Sequence, residues 1–94
     1  MATYFLNGRY TQQALGQLSA ERTNKTKAYV EKCGGKVKSI YALLGCTDLI
    51  LIVDLPGTKE AMRASLGLSK LLGMAITTNE AVTVEEFDKI VKEV

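Results

Sequence analysis

The apolar positions from Leu49 to Val53 form an unbroken run, with Asp48 before it and Asp54 after it. A strand with one wet face alternates apolar and polar side chains, so an unbroken run predicts a strand covered on both faces. The segment around it, SIYALLGCTDLILIVDLP over residues 39–56, reads as two strands folded back through a turn at Gly45, Cys46 and Thr47. In a short chain helices can cover one face of that strand. A second copy of the protein is the simplest cover for the other.

Residues 3–10, TYFLNGRY, read as a first strand with Tyr4, Leu6 and Gly8 on one face and Thr3, Phe5 and Asn7 on the other. Asn7-Gly8 is a hairpin signal, but its flanks are short and a helical pattern starts at Thr11. Gly8 is therefore read as a strand glycine that permits close approach or a bulge. Residues 11–33 read as helical with a thin apolar stripe. Leu15 and Leu18 hold one end and Tyr29, Val30 and Cys33 the other, with Arg22, Lys25 and Thr26 between them. Ser19 suits the start of a second helical piece after a break near Leu18, and Gly34-Gly35 supplies a C-cap.

Residues 36–44 predict a strand with Val37, Ser39, Tyr41 and Leu43 on one face and Lys38, Ile40 and Ala42 on the other. The buried strand, residues 48–54, follows the turn. Pro56, which has no N–H to donate, ends its pairing. Residues 58–72 predict a helix capped by Thr58, with Ala61, Ser65, Leu68 and Leu72 at helical spacing. Gly67 inside it costs about 1 kcal/mol against alanine, a cost that a close helix-to-sheet or subunit contact would offset. Residues 74–81 read as a fourth strand. Thr83 and Glu86 form a capping box, Val82 and Phe87 a hydrophobic staple, and Phe87, Ile90, Val91 and Val94 the stripe of an amphipathic terminal helix.

The order β-α-β-β-α-β plus a terminal helix predicts a ferredoxin-like α+β fold. It is expected to be a single domain over residues 1–94, a four-stranded antiparallel sheet with the two main helices on one face. Sheet-on-sheet pairing of two copies would then cover the bare face, and a homodimer or larger closed assembly is expected.

Composition narrows the chemistry. A chain of 94 residues, 47% hydrophobic and 23% charged, is an ordinary globular domain, which at this size buries about 60–65% of its unfolded surface. A formal charge of +2 is too mild for a nucleic-acid footprint. Lys25, Lys27, Lys32, Lys36 and Lys38 cluster without interleaved aromatics and read as a solvated face. The chain contains no histidine, which removes His-based triads, HExxH zinc sites and a proximal haem ligand. Cys33 and Cys46 are too far apart for a Cys-x-x-Cys motif, so no metal site and no cofactor are expected. The longest apolar run is far short of a membrane span and no basic leader opens the chain. A reducing cytoplasm, with no membrane partner, is the expected location.

Gly45-Cys46-Thr47-Asp48, followed by Leu49 to Asp54 and Pro56, resembles the Gly-Tyr-Asp segment of the GYD domain family. The opening YFLNGRYTQQALGQL, the Cys33-Gly34-Gly35-Lys36 junction and the closing TTNEAVTVEEFDKIV are also similar to that family, so the resemblance spans nearly the whole chain. The tyrosine of the triplet is missing here and the turn carries an extra residue; no role of that tyrosine transfers. Gly45 and Asp48 carry over as turn and strand-start residues. The resemblance implies the dimeric α+β barrel group, whose GYD members are mostly of unknown function.

In such a barrel a ligand pocket is expected between the sheet and its helices. The polar strand candidates for lining it are Asn7, Arg9, Tyr10, Tyr41, Asp48, Thr77 and Asn79. Tyr10 and Tyr41 offer an apolar body with a hydroxyl that can orient a carbonyl, or sit as core tyrosines with satisfied hydroxyls. Asp48 would be a base if buried, or a turn residue bonded to nearby amides. Arg22 would bind an anion, pair with a carboxylate or snorkel outward. Cys46, exposed on a turn, has no histidine to activate it. Glu85 and Glu86 are explained by the cap and helix dipole.

The resemblance to this barrel group leaves three functions open. The first is an oligomeric binding or interaction protein with a pocket for a small apolar or amphipathic metabolite. The second is a cofactor-independent monooxygenase or isomerase acting through Tyr10, Tyr41 or Asp48. The third is a stand-alone effector domain of the type attached to bacterial transcription regulators.

Overall fold

The computed structural model describes residues 1–94. Its elements in order are β1 (Ala2–Tyr10), α1 (Gln12–Leu15), α2 (Ala20–Lys32), β2 (Lys36–Ala42), β3 (Leu49–Leu55), α3 (Thr58–Leu72), β4 (Met74–Ala81) and α4 (Val84–Glu93). The strands form one antiparallel sheet in the order β2-β3-β1-β4. This is the predicted ferredoxin-like α+β arrangement.

Register decides which side chains enter the core. Leu6 pairs with Leu51 and with Thr78, and Tyr4 with Val53, so one face of the sheet presents Tyr4, Leu6, Leu51, Val53, Leu55 and Met74. These pack on Val30 and Cys33 of the α2 end and on Ala61, Ala64, Leu68 and Leu72 of α3 in a single cluster. The other face carries Thr3, Phe5, Asn7, Ile50 and Ile52, all only half-buried. The unbroken run in β3 therefore divides as alternation requires: Leu51 and Val53 go into the core, while Ile50 and Ile52 go to the open face.

The alternation predicted for β2 needs correction. A bulge between Val37 and Ser39 sets Val37 opposite Val53 but Ser39 opposite Ile52 and Ile40 opposite Leu51. The extra residue, Lys38, shifts the phase, so Val37 and Ile40 share the helix side instead of lying on opposite faces. A bulge with a lysine also blunts this edge strand against pairing with another sheet edge. The strand ends at Ala42, earlier than predicted, and a longer connection leads to β3.

Helix α2 ends in a Schellman motif: the Gly35 N–H donates to the Val30 carbonyl at 3.1 Å and the Gly34 N–H to the Glu31 carbonyl at 2.9 Å. Gly34 takes the positive φ of 90° that the motif demands. Gly35 is needed for a different reason. A Cβ there would fall on the Asp54 carbonyl oxygen and the Leu55 side chain. The glycine inside α3 is explained similarly, but by a helix-to-helix contact and not by the sheet or a second subunit: the Tyr29 ring of α2 lies where a Cβ of Gly67 would go. Helix α3 is capped by Gly57, not Thr58, and no side chain bonds its first turn.

Helix α4 is the exception to the packed layers. Thr83 caps it by accepting from the Glu86 N–H at 3.2 Å, but the reciprocal bond expected from a full capping box is not formed. None of its residues is buried, and it makes no extensive contact with any other element. The molecule is consequently drawn out to 49 Å in its longest dimension.

Candidate functional site

The site is built where β1 ends and α2 begins. Thr11 terminates β1 and caps the short α1, its hydroxyl accepting from the Ala14 N–H at 3.1 Å and donating to the Gly73 carbonyl at 2.8 Å. One hydroxyl thus ties the exit of β1 to the end of α3. Ser19 then starts α2 without a side-chain cap bond. The inner face of its first two turns carries Ser19, Arg22, Thr23 and Thr26 where a fully dry helix would carry leucines.

Those residues form one wall of a cleft of about 70 Å³. Tyr10, Ile40, Leu49, Leu72 and Met74 form the opposite side, and Leu18 from the α1–α2 link stands at the rim. The lining is mainly apolar, with hydroxyls from Tyr10, Ser19, Thr23 and Thr26 interspersed. The Thr26 hydroxyl is itself satisfied within the helix, donating to the Arg22 carbonyl at 2.7 Å.

Arg22 is held by the protein. Its guanidinium donates to the carbonyls of Ala14 at 3.2 Å, Gln17 at 3.4 Å and Leu72. A cation on the last carbonyls of α3 also complements that helix dipole, so the residue staples α1 and α2 to the end of α3. It forms no ion pair with a carboxylate. Replacing Arg22 with methionine keeps the apolar stem but leaves those carbonyls unmatched. A loss of about 1.5–3 kcal/mol is expected, read as a lower thermal midpoint. Arg22→Lys is not expected to restore it, because one ammonium cannot reproduce the planar fork.

Asp48 is likewise engaged. Its carboxylate accepts from the Tyr10 N–H at 2.9 Å, its own N–H donates to the Gly8 carbonyl at 2.9 Å, and its carbonyl accepts from Leu43 at 2.8 Å. It clamps β1, β3 and the connection together at the turn, and it does not line the cleft. Cys46 is exposed on that connection.

The other candidates lie elsewhere. Register puts Asn7, Arg9, Tyr41, Thr77 and Asn79 on the open face of the sheet, turned away from α2 and α3. Polarity alone suggests that they line a pocket on the helix side; β-strand alternation, with Leu6, Leu51 and Met74 drawn into the core, sends them the opposite way. Asn7 and Asn79 do meet there, Nδ2 to Oδ1 at 3.4 Å. Nearby, Thr3 donates to Asp54 at 2.8 Å and Lys38 stands 4.0 Å from the same carboxylate. Of the candidates, only Tyr10 and Arg22 converge on the cleft. The partners that sequence reasoning missed, Ser19, Thr23 and Thr26, were signalled by the thin apolar stripe of α2.

A four-stranded antiparallel sheet with α2 and α3 on one face, a mostly apolar cleft at one end and a bare second face define a ferredoxin-like α+β domain. A family model described as the GYD domain matches residues 4–91. The chain belongs to the GYD domain family, whose function is uncharacterised. No curated protein and no solved structure matches the chain. No helix is long and apolar enough to cross a membrane.

Proposed function

We propose that this chain is a small self-associating binding protein. Two copies meet through their open sheet faces as a dimeric α+β barrel, and the cleft at Tyr10 and Arg22 holds the apolar end of a small amphipathic metabolite. A cleft walled by Ile40, Leu49, Leu72 and Met74, with hydroxyl-bearing Tyr10, Ser19 and Thr23 also in its lining, carries this reading. Apolar walls with a few polar groups are the usual composition of a ligand site. At about 70 Å³ the cleft suits a short apolar group and is well below the size of a drug-scale pocket, about 300 Å³ or more. Half-buried Phe5, Ile50 and Ile52 on the open face favour a second copy as the partner. The free thiols of Cys33 and Cys46 fit a reducing cytoplasm.

Native mass spectrometry of freshly purified protein is expected to give a dimer carrying a small co-purified molecule. That adduct should disappear in Thr23→Trp, which fills the mouth of the cleft from an exposed position. Bare subunits, together with no thermal stabilisation by any of a panel of short fatty and aromatic acids, would remove the ligand-binding reading.

A further inference from the structure

Two surfaces of the chain carry apolar side chains with no covering layer, and they meet. One is the strip of half-buried Phe5, Ile50 and Ile52 on the open sheet face, set among polar Thr3, Asn7, Thr77 and Asn79. The other is the seam of α4, where Phe87 is 55%, Ile90 48% and Val91 53% exposed. The root of α4 joins them, since Val82 and Thr83 border one depression with Phe5, Ile52 and Ala81. The helix does not fold back over its own sheet. A ten-residue helix in water is marginal by itself, so this one needs a surface to pack on.

Charge selects the occupant. In α4, Glu85, Glu86, Asp88 and Glu93 outnumber Lys89 and Lys92, whereas the chain as a whole is positive, at +2. An acidic helix is repelled by anionic lipid. It is attracted by the groove along the β2 edge, which has Val37 and Ile40 in its lining and two cations, Lys27 and Lys38, the latter also 4.0 Å from its own Asp54 carboxylate. Distance agrees as well. Ala81 at the end of β4 is level with Thr3, which is level with Asp54 and Lys36 at the start of β2. A two-fold axis parallel to the strands therefore brings the α4 root of one copy beside the start of β2 in the other. The helix is about 15 Å long, more than the roughly 10 Å between packed sheets, so its outer turns pass the β2 edge to the helix side, where Val37 and Ile40 lie.

We propose that α4 is an exchanged arm: each copy lays its Phe87, Ile90, Val91 and Val94 seam along the β2-edge groove of a second copy, with Asp88 and Glu93 facing Lys27 and Lys38. The arm rests on the self-association proposed above and specifies what holds it. Because α4 buries nothing in its own subunit, its variants leave the folded core intact, which circular dichroism melts can verify.

Sedimentation equilibrium of the full chain tests it. The wild type is expected to dimerise at micromolar concentration, and Phe87→Glu with Ile90→Glu to weaken the dimer at least about thirtyfold, the scale of an interface hot spot. Asp88→Lys with Glu93→Lys in one chain, and Lys27→Glu with Lys38→Glu in another, should each weaken self-association. An equimolar mixture of the two should recover wild-type affinity, since both arm-to-groove contacts in the mixed dimer are then oppositely charged. A monomeric wild type would overturn self-association and the arm with it. A dimer indifferent to the Phe87 and Ile90 changes would overturn the arm alone, and charge variants that mix no better than they self-associate would overturn its seat on the β2 edge.

Discussion

Replacing Leu68 with alanine is expected to lower the unfolding free energy by about 2–5 kcal/mol. Leu68 is fully buried at the centre of the α3 face, in one cluster with Leu6, Val30, Leu51 and Val53. Its truncation removes transfer free energy and leaves a cavity that a sheet on one side and a helix on the other cannot readily close. A domain of this size has only about 5–15 kcal/mol in total. At roughly 4–8 °C per kcal/mol, the thermal midpoint should fall by about 8–40 °C. Leu66→Ala is the control. That side chain is 68% exposed on the same helix, and its loss should stay within about 0.5 kcal/mol. Equal losses at the two positions would mean that α3 presents a different face to the sheet.

Gly35→Ala is expected to cost about 1–3 kcal/mol, by overpacking instead of by a cavity. The added methyl meets the main-chain oxygen of Asp54, so β3 or the α2–β2 junction must move; the displaced group is not the flexible tip of a side chain. Gly16→Ala provides the contrast. Its Cβ would meet only the Gln13 carbonyl, at 3.6 Å, and its backbone already has a right-handed helical φ of −74°. Stabilisation by about 0.4–1 kcal/mol is expected there, through the reduced freedom of the unfolded chain. Urea denaturation of both variants measures the difference, and the opposite order would refute the close approach at Gly35.

Most of the elements were legible because their signals are local. Alternation in TYFLNGRY, the paired glycines after Cys33 and the Thr83 cap each involve residues a few positions apart, and each element lies where these signals put it. The candidate site was legible only at Tyr10 and Arg22. Asn7, Arg9, Tyr41, Thr77 and Asn79 were chosen for polarity, but polarity does not tell which face of a strand is turned to the helices. Arg22 was recognised as a cation in an apolar setting, while its partners are main-chain carbonyls from Ala14 to Leu72. Carbonyls carry no residue identity and leave no trace in a sequence.

By itself, the sequence determined the order of elements, the antiparallel sheet and a strand too apolar for one wet face, because periodicity and capping act over a turn or two of chain. Only the tertiary structure decided that the β2 bulge turns Val37 and Ile40 to the same side, that Arg22 is held by the chain itself, and that α4 stands clear of its own core. Each of these depends on groups far apart in sequence meeting at a particular register, and the burial of Leu6, Leu51 and Leu68 sets that register for the whole sheet at once.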